Sequence, residues 1–282
     1  MPLIPTFLTK PGYRSQAEDT SIDADVFYFT SLRQKEFAWR IERFISFNRS
    51  TRQLCLTAAN TQTPNVPTRL EYVKRRLGLE WSDRIADVEG DIVVADPITF
   101  ARKVIGILEP LNIAYYVGGS VASSLLGENR YTEDIDLIIE LSKIKAKPLL
   151  EAFLAASFYI SEIAVEDAVN GRCSSFNILD HETLEKADLF ILQETAFAKS
   201  KMARRMQQEL PDGSNLWISS PEDIVLQKLV WGRGSQSEKQ WRDVLGVLKL
   251  QGDRLDFEYL WRWGAELDLT PLLDRAFQES GL

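Results

Sequence analysis

An α+β fold is what the sequence of 282 residues predicts: a small mixed sheet with helices, preceded by a helical module and followed by a helical region. Three observations carry that expectation. Residues 20–85 show only helical periodicity. Between 98 and 210, apolar and β-branched runs of strand length alternate with helical patterns. From Pro221 onward the pattern is helical again. The expected divisions are therefore a helical module at 20–85, a core of mixed strands and helices at 98–210 and a helical region at 211–282.

The elements follow in order. Phe37, Ile41, Phe44 and Ile45 recur at helical spacing, as do Leu70, Val73 and Leu77 ahead of Gly78. The loop from Asn60 to Pro67, rich in Thr, Asn and Pro, separates the two helices. Asp83 to Pro97 reads as a connector and Ile98 to Leu108 as a helix. Ile113–Val117 is a strand by its β-branched and aromatic content. Further strands are expected at Ile135–Leu141, Ser175–Leu179 and Ala187–Leu192, with helices at Ser142–Ala156 and Gln193–Gln208.

Composition narrows the chemistry. Hydrophobic residues at 45% and charged residues at 26% allow a buried core. No apolar run approaches the roughly 18 residues that span a bilayer, and the opening MPLIPTFLTKPGYRS has no basic segment leading into an apolar stretch. The expectation is a cytoplasmic protein without a membrane partner. One histidine, His181, and two distant cysteines, Cys55 and Cys173, leave no zinc cluster and no Ser-His-Asp arrangement, so any metal should be hard and oxygen-bound.

The net charge of −8 is unevenly spread. Between Arg33 and Arg76, ten Lys and Arg stand against three Glu, a net of +7 that leaves −15 for the remainder. Such a module attracts a polyanion, an RNA acceptor or a cognate protein partner, if its charges face solvent. The competing reading is that its apolar residues complete the core of the mixed part that follows.

The most informative stretch is YYVGGSVASSLLGENRYTEDIDLIIE. The predicted strand runs into Gly118 and Gly119, which allow a tight turn, and Ser120 is a natural N-cap for a short helix from Val121 to Leu126. Unpaired amides at a helix N-terminus bind anions, although a Gly-Gly pair before a helix, taken alone, is more often only a turn. In a strand, Asp134 and Asp136 share one face while Ile135 and Leu137 point to the core. Two adjacent carboxylates repel, and a divalent cation removes the conflict. Asp188, at the start of KADLFIL, is the third candidate ligand, its alternative being a solvated strand-end carboxylate.

Together, Gly118, Gly119, Ser120, Arg130, Thr132, Asp134, Asp136 and Leu137 resemble the signature of minimal nucleotidyltransferases of the polymerase-β-like superfamily, most closely the branch that holds abortive-infection-type toxins. The segment SPEDIVLQKLVWGR resembles one in that branch whose lysine holds nucleotide phosphate, here Lys228. WRDVLGVLKL resembles its Arg-Asp helix through Arg242 and Asp243, with Gly246 where a second acidic residue is expected.

The resemblance covers about residues 98–265. It implies a polymerase-β-like core and transfer of a nucleoside monophosphate from a nucleoside triphosphate to tRNA, a protein or a small molecule. It further implies Mg2+, with Mn2+ as an alternative ion, and a toxin–antitoxin setting. Asp134, Asp136 and Asp188 would be the catalytic and metal-ligating residues, and Gly118, Gly119, Ser120, Arg130, Thr132 and Lys228 would bind the nucleotide. The alternative is a catalytically silent nucleotide-binding or regulatory protein of the same fold.

Overall fold

The structure, a computed structural model, describes residues 8–63, 65–234 and 237–282. The first seven residues of the opening stretch and Pro64 of the Asn60–Pro67 loop lie outside them.

Helices lead the chain: α1 (Ile22–Arg33), α2 (Phe37–Gln62), α3 (Thr68–Leu77), α4 (Leu79–Arg84) and α5 (Pro97–Leu108). Strand β1 (Tyr115–Val117), helix α6 (Gly119–Leu126), strand β2 (Asp134–Ile139) and helix α7 (Lys143–Ala155) follow. Then come β3 (Phe158–Ile160), α8 (Glu162–Val169), β4 (Ser175–Asp180), β5 (Lys186–Ile191), α9 (Ala196–Arg204), β6 (Met206–Glu209) and β7 (Asn215–Ile218). The chain finishes with α10 (Pro221–Gly232), α11 (Glu238–Gln251), α12 (Phe257–Glu266) and α13 (Thr270–Ser280). The class is the mixed α+β one that the sequence predicts. No helix among the described residues is long and apolar enough to cross a membrane.

Two compact units share these elements. The first comprises 1–42, 118–129 and 195–282, and the second 43–117 and 130–194.

In the second unit five strands lie in the order β3-β4-β5-β2-β1. Strand β2 pairs antiparallel with β1 and parallel with β5, while β4 pairs antiparallel with β5 and with β3. Both β2 and β5 are interior strands, and they alternate: Ile135, Leu137 and Ile139 of β2 and Ala187 and Leu189 of β5 are fully buried. The other face carries Asp134, Asp136 and Asp188. Helices α3 and α4 close a core in this unit, in which Tyr72, Val73, Trp81 and Ile85 pack with Ala59, Leu179 and Leu184. Removing residues 68–85 would therefore strip the cover from the end of β4, which favours the core-completing reading of those helices.

The first unit is largely helical, with β6 and β7 forming an antiparallel hairpin. Sequence periodicity expects a helix over Gln193–Gln208, but α9 stops at Arg204 and Met206–Glu209 becomes β6. Met and Gln are good helix formers, yet here pairing with β7, Gln207 opposite Trp217, overrides local preference. The start of α10 matches its chemistry: the Ser220 hydroxyl accepts from the Asp223 amide, with Pro221 in the first turn. Asp223 is fully buried and accepts from the Tyr259 hydroxyl at 2.7 Å.

Helix α6 begins two residues earlier than its composition suggests. Gly118 occupies the cap position, Gly119 has φ 51° and Ser120 lies inside the helix. A left-handed φ at Gly119 is what spares this turn a side chain, since only glycine adopts it without strain. At its far end α6 lies close to α11. A Cβ at Gly127 would fall 2.7 Å from the Val247 amide nitrogen, and one at Gly246 would fall 3.1 Å from that of Glu128. Gly246, where the resemblance expects an acid, is thus required by the close approach of two backbones.

Candidate metal and nucleotide site

The carboxylates are placed by register. Asp134 lies opposite Lys186, and Asp136 opposite Asp188, on neighbouring parallel strands. All four side chains belong to the second unit and to one face of its sheet.

Lys186 occupies the centre of this group. Its Nζ lies 3.2 Å from Asp134 Oδ2 and 2.8 Å from Asp188 Oδ1, with Asp188 Oδ2 also in reach at 3.0 Å. The Lys186 side chain is 11% exposed, against 36% for Asp134 and 21% for Asp188. Asn177, opposite Asp188 on β4, donates its amide to Asp188 Oδ1. Burial pushes the Asp188 carboxyl up, with Lys186 and Asn177 pulling against it. Burial also works against the Lys186 ammonium, but its hydrogen bond to Asp188 and the charges of Asp188 and Asp134 outweigh it and hold the group above the ordinary lysine range.

Two buried arginines set the approach to both strands. Arg52 of α2 grips Glu185 through Nε and one terminal nitrogen, each at 2.8 Å, and also donates to the Thr132 carbonyl at 3.1 Å. Arg76 of α3 reaches Glu185 at 2.9 Å and donates to the carbonyls of Leu184 and Glu133. The side chain of Asn48 accepts from the Thr132 amide and from Arg52. Thr132 and Glu133 lead into Asp134, and Leu184 and Glu185 lead into Lys186. One ionic cluster therefore fixes the register that sets Asp134 and Asp136 against Lys186 and Asp188.

The remaining expected residues are distributed as follows. Gly118, Gly119 and Ser120 open α6 in the first unit. Arg130 is half-buried and donates to the Tyr131 carbonyl at 3.2 Å. Thr132 is buried, and its hydroxyl donates to the Asp134 carbonyl at 3.0 Å. Lys228 is buried in the first unit, paired with Asp243 at 2.8 Å and bordering a cavity of about 440 Å³ with Arg233, Trp241 and Arg275.

Lys186, Glu185, Arg52, Arg76 and Asn177 are the residues that sequence reasoning passes over. Lys186 was within reach of it, because residues two apart in KADLFIL share a face and Lys186 stands two before Asp188. The others depend on long-range pairing.

Oxygen donors of this kind suit a hard cation, so the residue types fit magnesium. Among the described residues, however, no three His, Cys, Asp or Glu side chains converge closely enough to hold a metal ion. Asp134 and Asp188 converge instead on the ammonium of Lys186.

No family model matches the chain. No curated protein matches it either. Among solved structures, the antibiotic-resistance factor ANT(2'')-Ia is similar in two determinations. The one in complex with adenylyl-2''-tobramycin has a TM-score of 0.40 and 16% identity over 61% of this chain and 96% of that one. Its solution structure gives 0.41 and 14% over 63% and 96%. An antigenic nucleotidyltransferase-like protein from Paracoccidioides brasiliensis gives 0.38 and 20% over 62% and 90%.

Proposed function

We propose that the chain is a nucleotidyltransferase that moves a nucleoside monophosphate from a nucleoside triphosphate to an acceptor, with Mg2+ as its metal and Mn2+ as a substitute. The observation that carries this reading is the register of β2 and β5, which puts Asp134, Asp136 and Asp188 on one sheet face. Carboxylates on neighbouring strands that face the same way are hard oxygen donors, and a divalent cation is the partner such donors suit.

In this reading Asp134, Asp136 and Asp188 hold the cation, which lowers the charge barrier at the phosphates when bound. The amides of Gly118, Gly119 and Ser120 at the start of α6 receive phosphate oxygens, and Arg130 adds positive charge. Thr132 fixes the backbone of Asp134. Lys228, held by Asp243, belongs to the nucleotide's surroundings. An acceptor hydroxyl attacks the α-phosphorus, the bond to pyrophosphate breaks, and a carboxylate takes the acceptor's proton. Asp188, whose carboxyl burial pushes up, is the candidate for that last role, as metal ligand or base.

The acceptor is tRNA, a protein or a small molecule; an RNA or a cognate protein partner would be met by the exposed Arg43 and Lys74 of the second unit. A toxin role within a toxin–antitoxin pair follows from the branch that the signature resembles.

A second reading has its own observation. Lys186 already balances Asp134 and Asp188, as a protein that binds nucleotide without turnover would need. Isothermal titration with each nucleoside triphosphate, with and without magnesium, and incubation of α-labelled triphosphates with cell extract separate the two. Metal-dependent binding with transfer of label supports the enzyme, and binding without transfer supports the silent protein. If no nucleotide binds in the presence of magnesium, both fail.

A further inference from the structure

The ammonium of Lys186 sits where the cation of the proposed reading has to bind. It contacts one oxygen of Asp134 and both oxygens of Asp188, and all of these atoms lie on neighbouring interior strands. The lysine also has a second favourable surface. Its Nζ is 5.8 Å from the ring centre of the buried Trp81 on α4, at the edge of cation–π range. Four methylenes give the head group freedom to move along that ring without leaving the site.

From this geometry we infer that Lys186 is an internal counter-cation, which competes with a divalent metal for Asp134 and Asp188 and yields those oxygens by turning toward Trp81 when the metal arrives. The inference rests on the reading of Asp134, Asp136 and Asp188 as metal ligands, and adds to it a device that sets how tightly they bind. No bond is made or broken in the exchange: one charge leaves the carboxylates as another takes them. Two consequences follow. Part of the carboxylates' charge stays balanced in the absence of metal, so repulsion across the strand face is reduced. The site is also tuned to a weaker affinity than the same three acids would have alone, because each metal ion must displace a bound ammonium.

The test uses the full chain and free Mn2+, counted by its electron paramagnetic resonance signal, with no nucleotide present. Lys186→Met removes the charge and keeps most of the length. Lys186→Gln is a second neutral variant that can still donate a hydrogen bond to Asp188, should the methionine variant fold poorly. Lys186→Arg retains the charge. The neutral variants should bind Mn2+ at least about tenfold more tightly than the wild type, or about 1.4 kcal/mol, whereas the arginine variant should bind no more tightly than the wild type. Without metal the neutral variants should melt lower, and saturating Mn2+ should raise their melting temperature by more than it raises that of the wild type.

Equal or weaker Mn2+ binding by the neutral variants, with measurable binding by the wild type, overturns the role of Lys186 and leaves the metal site standing. Absence of Mn2+ binding in every protein overturns the metal reading itself. Binding by the neutral variants alone supports the inference in its strongest form.

Discussion

Replacing Glu185 with Gln is the sharpest test of how the second unit places its carboxylates. The substitution keeps the shape of the side chain but leaves two guanidiniums without their counter-ion, Arg52 and Arg76, whose side chains are 0% and 2% exposed. Four contacts to Glu185, at 2.8, 2.8, 2.9 and 3.0 Å, lose their charge assistance. The Arg76 guanidinium shows the balance of forces: burial opposes its charge, and Glu185 more than compensates, so that it is held above the ordinary arginine range. Removing one member of a buried ion cluster costs roughly 3–5 kcal/mol, because the remaining charges have no water to return to. For a unit of this size that lowers the melting temperature by roughly 6–20 °C. Calorimetry together with urea unfolding, followed by the fluorescence of buried Trp81, measures it. A control in which Arg52, Arg76 and Glu185 are all replaced by Met should recover much of the loss, since it removes the charges together. If Glu185→Gln costs less than about 1 kcal/mol, the cluster is not what holds the starts of β2 and β5. The reasoning about register then fails with it.

The other predictions concern separate residues. Asp136→Asn should reduce transfer by about a hundredfold or more and abolish the magnesium-dependent rise in melting temperature, while leaving the metal-free melting point unchanged or slightly higher, because one carboxylate fewer repels its neighbours; full activity would exclude the proposed ligand set. Gly246→Asp should destabilise the first unit by about 1–3 kcal/mol in urea titrations, since even its Cβ would fall 2.9 Å from Gln16 Nε2. Lys201 of α9 is pushed by burial from 10.5 down to about 8, with Asp223 pulling back. Between those values the unfolded chain binds the extra proton, so stability should rise with pH across that window, by up to about 3 kcal/mol. Unfolding titrations of wild type and Lys201→Met from pH 7 to 10.5 should show this gain in the wild type alone.

The alternation that underlies the candidate site is legible because strand chemistry has a short period. Alternation in DIDLII is enough to put Asp134 and Asp136 on one face and Ile135 and Leu137 in the core, and the structure agrees. Ser220, Pro221 and Asp223 announce the start of α10 for equally local reasons. What could not be read depends on pairing across the chain. Nothing near Met206 shows that it will face Ile218 in a hairpin, and the helix-forming residues before it point the other way. Gly246 carries no signal of its own until α6 is laid against α11. The bond from Lys186 to Asp134 spans 52 residues, and that from Arg52 to Glu185 spans 133. Ser120 gives way as cap for a subtler reason: serine is the better cap by composition, but the left-handed Gly119 opens the helix and leaves Gly118 as its cap.

The charge of residues 33–76 shows why counting residues and locating them lead to different conclusions. Ten basic side chains against three acidic ones suggest a field directed at solvent, yet Arg52, Arg69 and Arg76 are buried. Arg69 spends its donors on the carbonyls of Gly90, Asp91 and His181, as Arg52 and Arg76 spend theirs on Thr132, Leu184 and Glu133. Arginine suits this work because its planar fork serves several carbonyls at once while staying charged. Of the exposed groups, Arg49 is tied to Asp96 at 2.7 Å and Arg75 to Glu71 at 2.7 Å. The positive charge of this region is therefore first a scaffold, which pins the backbone on either side of the aspartate strands. Charge reversal meant to probe acceptor binding must leave Arg52 alone and fall on Lys35, Arg43 and Lys74 instead. At those positions a loss of acceptor binding with unchanged melting would report the outward field, because none of them is buried.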